Sequence, residues 1–158
     1  MSGSNPFDLT GKVIAITGAS SGFGHHFAGV LAAHGATVIL GARREEKLSD
    51  RVDDITKDGG KAFASRLDVR DTDSVQAFID LAFDQFGSLD VVINNAGVEA
   101  GAKTYTMIDE QDWDYVLDTN LKSAWIVLKV TGPCSSVLAV TQVILFFTES
   151  KNSASIFF

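Results

Sequence analysis

Apolar and polar positions change period in blocks along this chain. Lys12 to Thr17, K-V-I-A-I-T, is a short apolar run entering a glycine-rich turn, the pattern of a buried strand. From Gly22 the spacing becomes helical. Phe23, Phe27, Val30 and Leu31 fall at i, i+4, i+7 and i+8 on one helical face, and Gly35 stops the helix. Thr37 to Ala42 reads as a second strand. Arg44 to Lys57 is polar with Leu48, Val52 and Ile55 on one side, a surface helix broken by Gly59-Gly60. Lys61 to Leu67 is a weaker third strand. Asp71 to Phe86 keeps a 3.6 period through Val75, Phe78, Ile79, Ala82, Phe83 and Phe86, with Gly87 at its end. Leu89 to Asn94 is a fourth strand, and Asp109 caps a helix running through Trp113, Val116 and Leu117.

Strands alternating with helices predict an α/β fold, a Rossmann-type doubly wound parallel sheet with helices on both faces. Right-handed crossovers give the strand order 3-2-1-4 and a ligand crevice outside the carboxyl ends of strands 1 and 4. This domain is expected over residues 1–128. Residues 129–158 differ in character. Val130 to Phe158 has only Glu149 and Lys151 as charges, and Gly132-Pro133 should end the preceding helix. Val137 to Thr148 fits one strand or a buried helix. The tail reads either as an extra core element or, preferably, as a segment that did not evolve with the domain, as a frameshift, retained intron or misjoined gene would produce.

Composition narrows the class. Thirteen Lys and Arg against twenty Asp and Glu give a net charge of −7, and no basic run marks a nucleic-acid or anionic-membrane surface. Cys134 is the single cysteine, which excludes an intrachain disulfide and a cysteine-rich metal cage. Met1 to Thr10 has neither the apolar stretch nor the basic flank of a secretory signal, and Val137 to Phe147 is too short to span a bilayer. The expectation is a soluble cytoplasmic protein. His25, His26 and His34 have no metal-ligand spacing; the first two are expected to face solvent and the third to sit at a helix C-terminus.

Two motifs carry chemistry. Thr17 to Gly24, T-G-A-S-S-G-F-G, follows a strand and opens a helix. Gly18 allows a sharp turn, and Gly22 and Gly24 allow close approach of backbone to a pyrophosphate and to the sheet. Ser20 and Ser21 add hydroxyl donors at the positive helix end. Asn94 to Gly97, N-N-A-G, follows the fourth strand and should face the first turn, with Ala96 and Gly97 small enough for a flat ring or ribose to approach.

With L-D-V at Leu67 to Val69 and Asn120 in T-N-L-K-S, these motifs resemble, in order and spacing, the short-chain dehydrogenase/reductase family over approximately residues 8 to 128. The resemblance implies a nicotinamide cofactor, hydride transfer at a carbonyl or alcohol carbon, and a dimer or tetramer. It implies that Gly18, Ser20, Ser21, Gly22, Phe23 and Gly24 line the pyrophosphate and adenosine ribose. It has Asp68 accept from the adenine amino group beside the Val69 backbone. Asn95, Ala96 and Gly97 would lie along the adenosine ribose and nicotinamide side. Asn120 would kink its helix and hold a water in the proton relay. Cofactor choice follows from the end of strand 2. NAD asks for an acidic residue there, but Ala42 stands in that place, followed by Arg43 and Arg44, cations suited to a 2′-phosphate; NADP is favoured over NAD.

The family's chemistry also needs a serine, a tyrosine, and a lysine four residues after that tyrosine. Tyr105 and Tyr115 are followed at that distance by Asp109 and Thr119, and both precede Asn120, so Asn120 is the only proton-relay residue present. The fifth strand is expected to be absent and strand 4 to become an edge. Such a chain should be marginally stable and inactive. It is then a non-catalytic dinucleotide-binding module or a non-functional truncated product; a small carbonyl or alcohol substrate is expected only if a full-length form exists, and the family's homo-oligomer is not expected of this chain.

Overall fold

Residues 13 to 17 form β1 (Val13–Thr17), buried along its whole length, at the centre of a computed structural model that describes residues 7–101, 103, 105–134, 136–141, 145–150 and 153–157. There follow α1 (Gly22–Ala33), β2 (Thr37–Ala42), α2 (Glu45–Lys57), β3 (Lys61–Arg66), α3 (Thr72–Phe86) and β4 (Val91–Asn94). A 3-10 turn at Tyr105–Met107 leads to α4 (Glu110–Leu117), a π-helical segment at Asp118–Lys122 and α5 (Ser123–Thr131). The last elements are β5 (Leu138–Thr141), β6 (Leu145–Ser150) and β7 (Ser153–Phe157).

The main sheet is parallel, in the order β3-β2-β1-β4-β5. Alternate residues of the central strands feed two separate cores, because side chains along a strand point to opposite faces. Val13, Ala15 and Ile39 pack with Val75, Phe78 and Ile79 of α3 and Ile126 and Val127 of α5. Ile14, Ile16, Val38 and Leu40 pack with Ala28 and Ala32 of α1 and Leu48 and Ile55 of α2. Burial on both faces explains why these strands read as continuous apolar runs.

Three expectations change. The sheet does not stop at strand 4: Val91 to Asn94 pair in register with Leu138 to Thr141, so β5 is the edge next to β4. The stretch expected as one strand or one helix is divided between β5 and β6, and β6 pairs antiparallel with β7 in a separate two-stranded sheet. In α1 only half of the predicted apolar face meets the sheet: Phe27 and Leu31 pack against the core that includes Ala28, beside a row of small residues. Gly24, Ala28 and Ala32 are buried there, whereas Phe23 is 68% and Val30 41% exposed. Small residues at i, i+4 and i+8 let the helix approach closely, and Phe23 stacks on Phe27 at the periphery.

Helix boundaries have local causes. Asp71 and Asp109 are extended N-cap residues whose carboxylates accept from the Asp73 and Asp112 backbone N–H groups. Gly87 closes α3 in the left-handed region at φ +72°. His34 is the C-cap residue of α1, with its Nδ1 2.8 Å from the Val30 carbonyl oxygen. Among the described residues, no helix is long and apolar enough to cross a membrane.

Candidate functional site

The loops after β1 and β4 are held together at the carboxyl edge of the sheet. The Thr17 hydroxyl accepts from the backbone N–H groups of Asn95 and Ala96, both at 3.0 Å. In return Asn95 Nδ2 donates to the Thr17 carbonyl at 3.0 Å. Gly18 (φ +71°) turns the chain at this contact, and a Cβ there would lie 2.7 Å from Ala96 Cα. A Cβ on Gly24 would come within 2.6 Å of Asn95 Nδ2 and 2.7 Å of the Gly18 carbonyl oxygen. Glycine at both positions therefore serves the seating of one turn on the other. At Gly22 (φ +60°) a Cβ would meet nothing within 4 Å, so the open side of the turn is there.

A cleft of about 480 Å³ opens over these turns. Gly18, Ser20, Ser21, Gly22 and Phe23 form one wall, and Asn95, Ala96, Gly97 and Val98 form another. Arg43 and Arg44 stand at the end of β2, and Leu67, Asp68, Val69 and Arg70 follow β3. Thr119 and Asn120 close it from the helical side. Every sequence-predicted site residue lines this cleft except Gly24, which is buried beneath the turn. His25 and His26 do not line it.

The rim of the cleft is cationic. Arg44 donates to the Ser20 hydroxyl through Nε and Nη2 at 3.2 and 2.9 Å, and to the Ser21 hydroxyl through Nη2 at 2.8 Å. Arg43 Nη2 donates to the Tyr115 hydroxyl at 3.1 Å. The Asp68 carboxylate is held by Arg70 Nη2 at 2.9 Å, Arg70 Nε at 3.2 Å and the Arg70 backbone N–H at 3.0 Å. Those hydrogen bonds, chiefly the side-chain pair, bring Asp68 down to about 2, so it is a carboxylate at neutral pH. The same pairing raises Arg70 above its ordinary value.

Asn120 is 4% exposed and lies in the π-helical segment. Its Oδ1 accepts from the Val98 N–H and its Nδ2 donates to the Val98 carbonyl oxygen, both at 2.8 Å. The extra residue per turn directs this amide at the backbone of the loop after β4, which ties the helix to the cleft wall.

The residues fit a dinucleotide by their own chemistry. Ser21, the N-cap of α1, makes no side-chain cap, which leaves first-turn N–H groups to an anion. The Thr119 hydroxyl is buried with no hydrogen-bond partner among the described residues and borders the cleft. Sequence reasoning missed Thr119, Val98, Arg70 and the Thr17 staple. The last had one readable signal, a threonine closing an otherwise apolar strand.

Known proteins resemble this chain in sequence and in fold. A family model for short chain dehydrogenase matches residues 12–136. The chain is 46% identical over 116 residues to a Streptomyces virginiae protein named for ketoacyl reduction in a monensin polyketide synthase; the match covers 73% of this chain and 44% of that protein. A short chain dehydrogenase/reductase from Burkholderia phymatum, solved in complex with NAD, is 35% identical with a TM-score of 0.75, covering 80% of this chain and 44% of that one. A metagenomic short-chain oxidoreductase solved with NADP is 34% identical with a TM-score of 0.74, covering 80% and 57%. The chain spans about half the length of these relatives.

Proposed function

Because the chain belongs to the short chain dehydrogenase family, we propose that it binds a nicotinamide dinucleotide across the turns after β1 and β4, with NADP preferred over NAD. The observation that carries this reading is the pair of turns stapled through Thr17 and Asn95, with uncapped helix N–H groups on one side and Arg43 and Arg44 on the other. The N–H groups of the glycine turn would hold the pyrophosphate. Asp68, fixed as a carboxylate by Arg70, would accept from the adenine amino group. Ala42 leaves no acidic group at the end of β2 to hold a free ribose 2′-hydroxyl, while Arg44 and Ser20 offer donors to a 2′-phosphate.

When bound, such a cofactor supplies the hydride acceptor or donor for a secondary alcohol or ketone. Asn120 would position a water near the reacting end. The serine and the Tyr-x-x-x-Lys of the family's chemistry are not matched, since Thr119 and Asp109 follow the two tyrosines at that spacing. A small carbonyl or alcohol substrate and a homo-oligomer would require a form that carries those residues. The acidic surface and lone Cys134 support a cytoplasmic location.

The test is a fluorescence titration of the 158-residue chain with NADPH and NADH, followed by kinetics on a carbonyl panel. Tighter binding of NADPH and no turnover are expected. A chain folded by circular dichroism that ignores both cofactors at millimolar concentration sinks the binding reading. Clear NADPH oxidation sinks the expectation of inactivity.

A further inference from the structure

Tyr115 stands where three elements converge on the cleft rim. Arg43 comes from the end of β2, Asp68 and Arg70 from the loop after β3, and Tyr115 from α4. The Tyr115 hydroxyl accepts from Arg43 Nη2 at 3.1 Å, and the Arg70 guanidinium lies 5.3 Å above the centre of its ring. Arg70 is held from its other side by Asp68, through bonds of 2.9 and 3.2 Å. One half-buried phenol thus touches two guanidinium groups, one at its oxygen and one at its ring face.

Two cations brought to one place repel, and an exposed arginine left to itself samples many rotamers. Asp68 already pairs with Arg70 and offsets its charge, and a second carboxylate at Arg43 would cancel that one too. A phenol holds one through a lone pair and the other through the ring quadrupole, and it adds no charge. The charge of Arg43 is thereby kept at the rim, beside an Arg70 whose charge Asp68 offsets.

We propose that Tyr115 is a positioning residue for cofactor selection, which, braced on its ring face by the Asp68-paired Arg70, holds Arg43 as the cationic site for a 2′-phosphate. This deepens the NADP reading above and rests on it. Arg44 is fixed independently by Ser20 and Ser21, so loss of the Tyr115 contacts leaves that cation in place. With Arg43 ordered beforehand, a 2′-phosphate binds without first immobilising a mobile side chain. A cofactor with a bare 2′-hydroxyl gains almost nothing from the arrangement.

The experiment compares NADPH and NADH affinities of the full chain with those of Tyr115→Phe and Tyr115→Ala, at low and moderate salt, with melting curves on each. Tyr115→Phe keeps the ring and removes only the acceptor for Arg43. It should weaken NADPH by roughly three- to tenfold and NADH by less than about twofold. The salt dependence of NADPH binding should become shallower. Tyr115→Ala also removes the platform for Arg70 and should weaken NADPH at least as much. An unchanged NADPH-to-NADH ratio in Tyr115→Phe overturns the proposal, and so does equal weakening of both cofactors, which marks a packing role. The wild-type titration separates the two readings: a wild-type chain that holds NADPH no tighter than NADH fails the NADP assignment before any variant is measured.

Discussion

At the scale of single residues, Asp68 couples the site to pH. Its folded value of about 2 lies below the ordinary 3.8, chiefly because Arg70 donates to the carboxylate. A depressed carboxylate stabilises the fold above its unfolded value, and that contribution is lost as pH falls from about 4 towards 2. Wild-type stability should therefore drop over that window more than that of Asp68→Asn, as read by unfolding free energy against pH. Identical acid limbs would show that the Arg70 clamp contributes nothing to folding. The glycines, Ser20, Ser21 and the N-N-A-G turn were legible in the sequence because backbone demands restrict residue type locally. The Arg70–Asp68 clamp and the Arg43–Tyr115 bond were not. Arg43 and Tyr115 lie 72 positions apart, and nothing in either neighbourhood says they meet. Thr17 and Asn95 are stapled across a similar span, hidden for the same reason.

At the scale of elements, α1 shows where periodicity misleads. Phe23, Phe27, Val30 and Leu31 form one apolar stripe, and Gly24, Ala28 and Ala32 form another beside it with the same period. A hydrophobicity count favours the first, but close approach of the helix to the sheet favours the second, so Phe27 and Leu31 pack beside it while Phe23 and Val30 stay outside. Ala28 is fully buried among Ile14, Ile16 and Val38 of the sheet and its neighbours. Ala28→Leu should therefore destabilise by about 1–3 kcal/mol through overpacking. Phe23→Ala removes only a peripheral stacking contact and should cost less than about 1 kcal/mol. Chemical denaturation of both variants decides which stripe is the packing face; a larger loss for Phe23→Ala would reverse the assignment. The π-helical segment around Asn120 was equally hidden. No proline or glycine marks it in D-T-N-L-K, and its register is explained by the paired Asn120–Val98 bonds.

At the scale of the whole molecule, the two ends of the sheet differ. On the β3 side, Phe63 and Phe86 pack edge to face with ring centres 4.8 Å apart, which partly covers that edge. On the other side, among the described residues, β5 pairs with β4 alone in the main sheet, and Leu138 and Val140 are 62% and 49% exposed. A short apolar edge strand with unpaired backbone groups is a template for another strand. A second apolar surface lies on the helix, where Leu121, Trp125 and Leu128 recur at helical spacing and are exposed. Its character is less sticky, since Lys129 sits 5.1 Å over the Trp125 ring and brings charge to the stripe. The net charge of −7 opposes association at long range, but it is screened over about 8 Å at physiological salt and does not act between strands in contact. The edge should therefore dominate. Sedimentation velocity should show concentration-dependent self-association of the chain, and Val140→Lys should reduce it by placing a charge on the pairing edge, while Trp125→Lys should have the smaller effect. The opposite ranking would assign self-association to the helix face and leave β5 as a strand that needs no cover.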